Sequence, residues 1–156
     1  MDVSYRTTLE LDKIIARAVQ LCTCAETKEM MRAIEPFATT EEERYALAQT
    51  NAINALLIKN GSPRFGSVRE VRRIVAHARK GGILSMGELL EIAATLRNFS
   101  GLSQWYGLSE HEMLPTDDLF FALAPQPVLE KQISESIISP EEMADTASVT
   151  LHDLRR

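Results

Sequence analysis

One signature recurs along this chain: a Ser or Thr followed three residues later by Glu, just ahead of apolar residues at helical spacing. Thr7 with Glu10, Thr39 with Glu42 (or Thr40 with Glu43), Ser67 with Glu70 and Ser85 with Glu88 all fit it. The hydroxyl accepts from the N–H three residues on, and the carboxylate reaches back to the first N–H, so two orphan donors are satisfied together. A chain that places its polar residues this way commits to helices. Seven glycines and six prolines, in a composition 45% hydrophobic and 25% charged, favour helices over a many-stranded sandwich and exclude a disordered chain.

The spacing predicts a first helix with Leu11, Ile14, Ile15, Ala18, Val19 and Cys22 on one stripe. A second, Glu26 to Ile34, stops before Pro36 as proline requires. A third runs from the Thr39 or Thr40 cap to about Lys59, with Asn60-Gly61 as its stop. There Tyr45, Ala48, Ala52, Ala55 and Leu56 form one stripe while Ile53 and Leu57 point elsewhere, so the helix is expected to be central, sandwiched between neighbours. Gly61 to Gly66 reads as a loop with Phe65 as an anchor, and a helix from Ser67 ends at Gly81-Gly82. The longest helix runs from Ser85 to about Tyr106 with Leu89, Ile92, Ala93, Leu96, Phe99, Leu102 and Tyr106 in line. Phe99, Trp105 and Tyr106 near its end read as a core lid more readily than as a stacking platform for bases.

Beyond it, Asp117 and Asp118 cap a short helix, Leu119 to Ala124, stopped by Pro125 and Pro127, and Val128, Leu129 and Ile133 mark another. A β-hairpin is expected within 135–146, with strands near Ser136–Ile138 and Met143–Asp145. Ser148 or Thr150 caps a last helix, from about 148, expected to continue past Arg156 in a longer natural chain. The expected fold is therefore mainly α: residues 1–156 as a single domain, a multi-helix orthogonal or bundle-like array with a short hairpin.

Charge is distributed unevenly. The net charge of −5 excludes a generally cationic nucleic-acid binder, yet Arg64 to Lys80 gathers six Lys/Arg with a single acid, Glu70. At about 100° per residue, Val68, Val71, Ile74, Val75 and Ala78 fill one arc of the helix predicted there. Arg69, Arg72, Arg73, Arg79 and Lys80 fill the opposite one, about 120° wide. Three readings fit those five cations: a solvated outer face, docking onto an acidic surface of another domain, or contact with nucleic-acid phosphates.

Reactive chemistry is sparse. Gly81-Gly82 lacks the Lys-Ser/Thr of a phosphate loop and follows a helix rather than a strand. His77, His111 and His152 are scattered, and His111-Glu112 cannot extend to a zinc helix because Pro115 stands where the second histidine belongs. Cys22 and Cys24, two apart in a helix, point away from each other and read as small buried hydrophobes. No catalytic, cofactor-binding or metal-ligating residue is nominated in this segment. Without a signal peptide or an apolar run long enough to span a membrane, a soluble cytoplasmic protein is expected.

The order LELDKII from Leu9, the glutamates at 41–43, TNAINALL from Thr50 and GSPRFGSVREVRRIVAHARKGGILSMGELLEIAATLRN from Gly61 resembles the N-terminal region of MutS-like ATPases of the second subfamily (MutS-two proteins). The likeness runs from about Leu9 to Arg156 and is most specific between Phe65 and Arg97. Two departures stand out. Cys22 to Thr27 replaces a usual Ser-x-x-Gly-Lys pattern, and the block from Phe65 to Val71 lacks the family's Asp-Ile pair. The resemblance implies a non-catalytic helical core of a bacterial DNA-binding ATPase related to mismatch-repair MutS, linking an ATP site to lever helices and a clamp. It implies suppression of recombination or action on stalled ribosomes by the whole protein. The partners implied are the other domains of the chain, branched DNA or ribosomes, and a second copy in a homodimer. ATP and Mg, and any nuclease-like domain, belong to parts outside this segment. The alternative is a free-standing all-α protein–protein interaction module holding a partner in a groove between helices.

Overall fold

The computed structural model describes residues 8–64, 66, 69–108, 110 and 112–155. Phe65, the expected anchor, lies outside them, as do Thr7, Ser67, Val68, His111 and Arg156. Among the described residues there are eight α-helices, one 3-10 turn and a two-stranded antiparallel hairpin, so the chain is mainly α with a short β element. It divides into two compact units, Met1–Ala38 and Thr39–Arg156.

The first unit is a pair of helices, α1 (Leu11–Leu21) and α2 (Ala25–Arg32). Leu11, Ile15, Ala18 and Val19 are half-buried along the expected stripe, but Ile14 is exposed and neither helix contains a fully buried residue. Glu10 precedes α1 in the left-handed region at φ 55°. The Cys-x-Cys stretch is not helical: Cys22 is extended (φ −75°, ψ 135°) after α1, and Cys24 is extended before α2. Both thiols are free and half-buried, rather than buried as expected. The Cys22 Sγ–H donates to the Ala18 carbonyl, and Cys24 Sγ lies 2.8 Å from Thr27 Oγ1.

The second unit contains α3 (Thr40–Asn60), α4 (Arg72–Arg79), α5 (Met86–Tyr106), α6 (Asp117–Phe121), α7 (Pro127–Ser136) and α8 (Val149–Leu154). Capping boxes open α3 and α5 as the sequence predicts, with Thr39–Glu42 and Ser85–Glu88 each bonded in both directions. The hairpin pairs β1 (Ile137–Ser139) with β2 (Glu142–Met143), Ile137 opposite Met143 and Ser139 opposite Glu142, so one extra residue bulges on β1. Ser148 caps α8 by accepting from the Leu151 N–H.

The central element is α5, not α3. Every residue from Met86 to Leu96 is at least partly buried, whereas α3 packs through one face. That face overlaps the predicted stripe only at Ala52 and Leu56. Ile53, Leu56 and Leu57 turn together toward Trp105, Tyr106, Leu114 and Phe120, while Tyr45, Ala48 and Ala55 are exposed. Apolar residues surround α3 on its wheel, so the aromatic cluster at the end of α5 decides which of them become core. A second cluster joins Ala93 of α5 to Ile133 of α7 and Ile137 of β1, flanked by Met86, Leu89, Leu90 and Ile92. Burying each isoleucine contributes about 1.5–3 kcal/mol. Arg97 seals that contact, donating from Nε and Nη2 to Glu130 Oε1 at 3.0 and 2.6 Å and from Nη2 to Ser134 Oγ at 3.0 Å.

Candidate functional site

The cations singled out from the sequence all lie in or beside α4, which begins at Arg72 rather than at Ser67. The stretch ahead of it is held to α5 instead of coiling. The Gly66 N–H donates to Asn98 Oδ1 at 2.9 Å, and Arg69 Nη1 lies 3.7 Å from Glu91 Oε1. With Arg69 committed there, only Arg72, Arg73, Arg79 and Lys80 share one helix face. Glu70 stands 4.0 Å from Arg73, but the Arg73 side chain remains 94% exposed. Among the described residues Arg72, Arg79 and Lys80 have no carboxylate partner within ion-pair distance, and all three are exposed.

The opposite arc packs less than predicted. Ile74 is buried and Val71 half-buried, but Val75 and Ala78 face solvent. The far end of α4 is closed by two backbone bonds, Gly81 N–H to the Ala78 carbonyl at 2.9 Å and Gly82 N–H to the His77 carbonyl at 3.1 Å. Gly81 adopts φ 82°, as this crossed pattern of carbonyl capping requires. Beyond the turn, Ile83 is 93% exposed. The imidazole of His77 lies over Gly82. It adds a minor attraction to Glu88, whose pKa is held below the usual carboxylate range first by the Ser85 N–H and hydroxyl.

A second feature is a groove of about 480 Å³ lined by Gln49, Asn51, Ile53, Asn54, Thr116 and Leu119 among others. Its wall is fastened by Pro115, whose carbonyl accepts from Tyr45 Oη and Gln49 Nε2, each at 3.0 Å. Sequence reasoning missed the polar cluster beneath it. Tyr106 Oη donates to Asp117 Oδ1 at 2.7 Å and lies 2.8 Å from the fully buried Thr116 Oγ1, and Asp117 Oδ2 accepts from the Leu114 N–H. Thr116-Asp117 directly after Pro115 was the available signal. Among the described residues no three His, Cys, Asp or Glu side chains gather to hold a metal ion.

The chain is 30% identical over 150 residues to an endonuclease MutS2 from Clostridium beijerinckii, an alignment covering 95% of the chain and 19% of that protein. It resembles a segment of endonuclease MutS2. A Clostridium botulinum endonuclease MutS2 is 31% identical over 151 residues, again 95% of this chain. The Lachnospira eligens endonuclease MutS2 is 29% identical across the whole chain. The chain spans about one fifth of the length of these relatives, 19% in each case. No protein-family model matches it, and no solved structure does. The basic helix and the long capped helix after it fall inside the MutS2-like stretch.

Proposed function

We propose that the chain is a non-catalytic helical core, a mechanical scaffold that transmits movement within a MutS-like DNA-binding ATPase. The observation that carries this reading is its likeness to one fifth of endonuclease MutS2 along nearly all of its own length. The packing supports it. Two small clusters hold the second unit together, while Leu21, Ile58 and Met113 are 84%, 80% and 91% exposed. Large apolar side chains left open on the second unit, such as Ile58 and Met113, are available to other domains of the same protein or to a second copy. ATP and Mg are held elsewhere in that protein, whose work, in the cytoplasm of a bacterium, is suppression of recombination on branched DNA or rescue of stalled ribosomes. No helix among the described residues is long and apolar enough to cross a membrane.

ATP turnover is the direct test. The isolated chain is expected to hydrolyse no ATP above buffer and to self-associate in sedimentation velocity; turnover that follows the purified chain overturns the scaffold role. A second reading, a free-standing α-helical interaction module, is favoured by the groove along Gln49, Ile53 and Leu119. It predicts a compact, monodisperse monomer in the same sedimentation run.

A further inference from the structure

We propose that α4 is a contact for the sugar-phosphate backbone of nucleic acid, made by Arg72, Arg73, Arg79 and Lys80. Arg72 and Arg73 form one tier, and Arg79 and Lys80 form another two turns on, about 10.5 Å along the axis. Laid along a duplex axis, that interval spans about three base-pair rises at ~3.4 Å each, so both tiers can meet phosphates. Three of the four cations are arginines, whose planar forks bind phosphate oxygens two at a time. Ile74 is buried beneath the helix, and the Gly81-Gly82 turn closes its end.

The surrounding charge argues for a dense anion. Without these four residues the chain carries 13 bases against 22 acids, so the four cations stand out against an acidic remainder. The nearby carboxylates do not quench the patch: Glu91 is taken by Arg69 outside it, and Glu70 reaches only Arg73 at 4.0 Å. Contacts of this kind fix register on a strand without reading its sequence.

The test is fluorescence anisotropy of a labelled 30-base-pair duplex titrated with the chain between 25 and 200 mM NaCl. The logarithm of the binding constant is expected to fall against the logarithm of salt with a slope of about −3 to −4, near −0.9 per phosphate neutralised. Arg72→Gln with Arg79→Gln should flatten the slope by about 1.8. Arg17→Gln with Arg44→Gln, exposed cations elsewhere, should leave it unchanged; circular dichroism checks that both variants fold. Absence of duplex binding overturns the proposal. So does an equal slope in the two double variants. Displacement of the duplex by poly-glutamate at matched charge concentration also overturns it, in favour of an acidic protein partner. A chain that ignores both ATP and the duplex keeps the scaffold role and loses only this contact.

Discussion

The phenol of Tyr106 lies flat on the ring of Phe120, their centroids 3.8 Å apart and their planes 8° from parallel. Trp105 meets the same ring at 6.1 Å, tilted by 39°. This aromatic stack fastens α5 to α6. Beneath it the Tyr106 hydroxyl spends its proton on Asp117, leaving the Thr116 hydroxyl to donate to it.

Tyr106→Phe keeps the stack and removes the hydroxyl, leaving a fully buried Thr116 oxygen without its partner. Urea denaturation is expected to show a loss of about 1–3 kcal/mol. Burial is the main cause that raises the Tyr106 pKa above its ordinary value, and Asp117 adds to it. With the folded pKa above the unfolded one, the stability from the neutral phenol is fully present below about pH 10 and is lost as pH rises through the folded value. The Phe variant should lack this alkaline loss; an identical alkaline profile would contradict the burial argument.

Arg97 holds Glu130 below the usual carboxylate range, and Ser134 helps. A depressed folded pKa gives stability that is present above the unfolded carboxylate value and lost as pH falls through the folded one. Glu130→Gln should therefore flatten stability below about pH 4.5. At neutral pH, where the pair is partly solvated, it should cost roughly 0.5–1 kcal/mol. Chemical denaturation at pH 3.5 and pH 7 measures both effects.

Gly81 and Gly82 should respond differently to alanine. Gly81 sits at φ 82° with open space where a Cβ would stand, so Gly81→Ala costs backbone strain, about 1–2 kcal/mol. At Gly82 a Cβ would meet the His77 ring, and that exposed imidazole can swing away. Gly82→Ala is expected to cost less than Gly81→Ala in thermal melts; the reverse order would mean that His77 is fixed.

Local signals proved legible where the chemistry is local. The boxes at Thr39–Glu42 and Ser85–Glu88 and the cap at Ser148 need only residues three apart, and they stand where the sequence placed them. The hairpin strands are shifted by about a residue toward the Pro140 turn, and β1 carries a bulge between Ile137 and Ser139 that alternation does not reveal. The start of α4 was not legible. Its register depends on Asn98 and Glu91, roughly thirty and twenty residues away, which hold Gly66 and Arg69 against α5. Nor was the packed side of α3, since several of its faces carry apolar residues and only Trp105, Tyr106 and Phe120 select one.

Sequence alone determined that this chain is built of capped amphipathic helices and that one short segment is rich in cations, because capping and charge density are settled within a few residues. Only the tertiary structure decided that α5 is the axis, that Arg69 leaves the cationic face, and which side of α3 is packed. Those outcomes depend on which distant side chains compete for a backbone N–H, a carboxylate or a patch of apolar surface, and no local pattern encodes that competition.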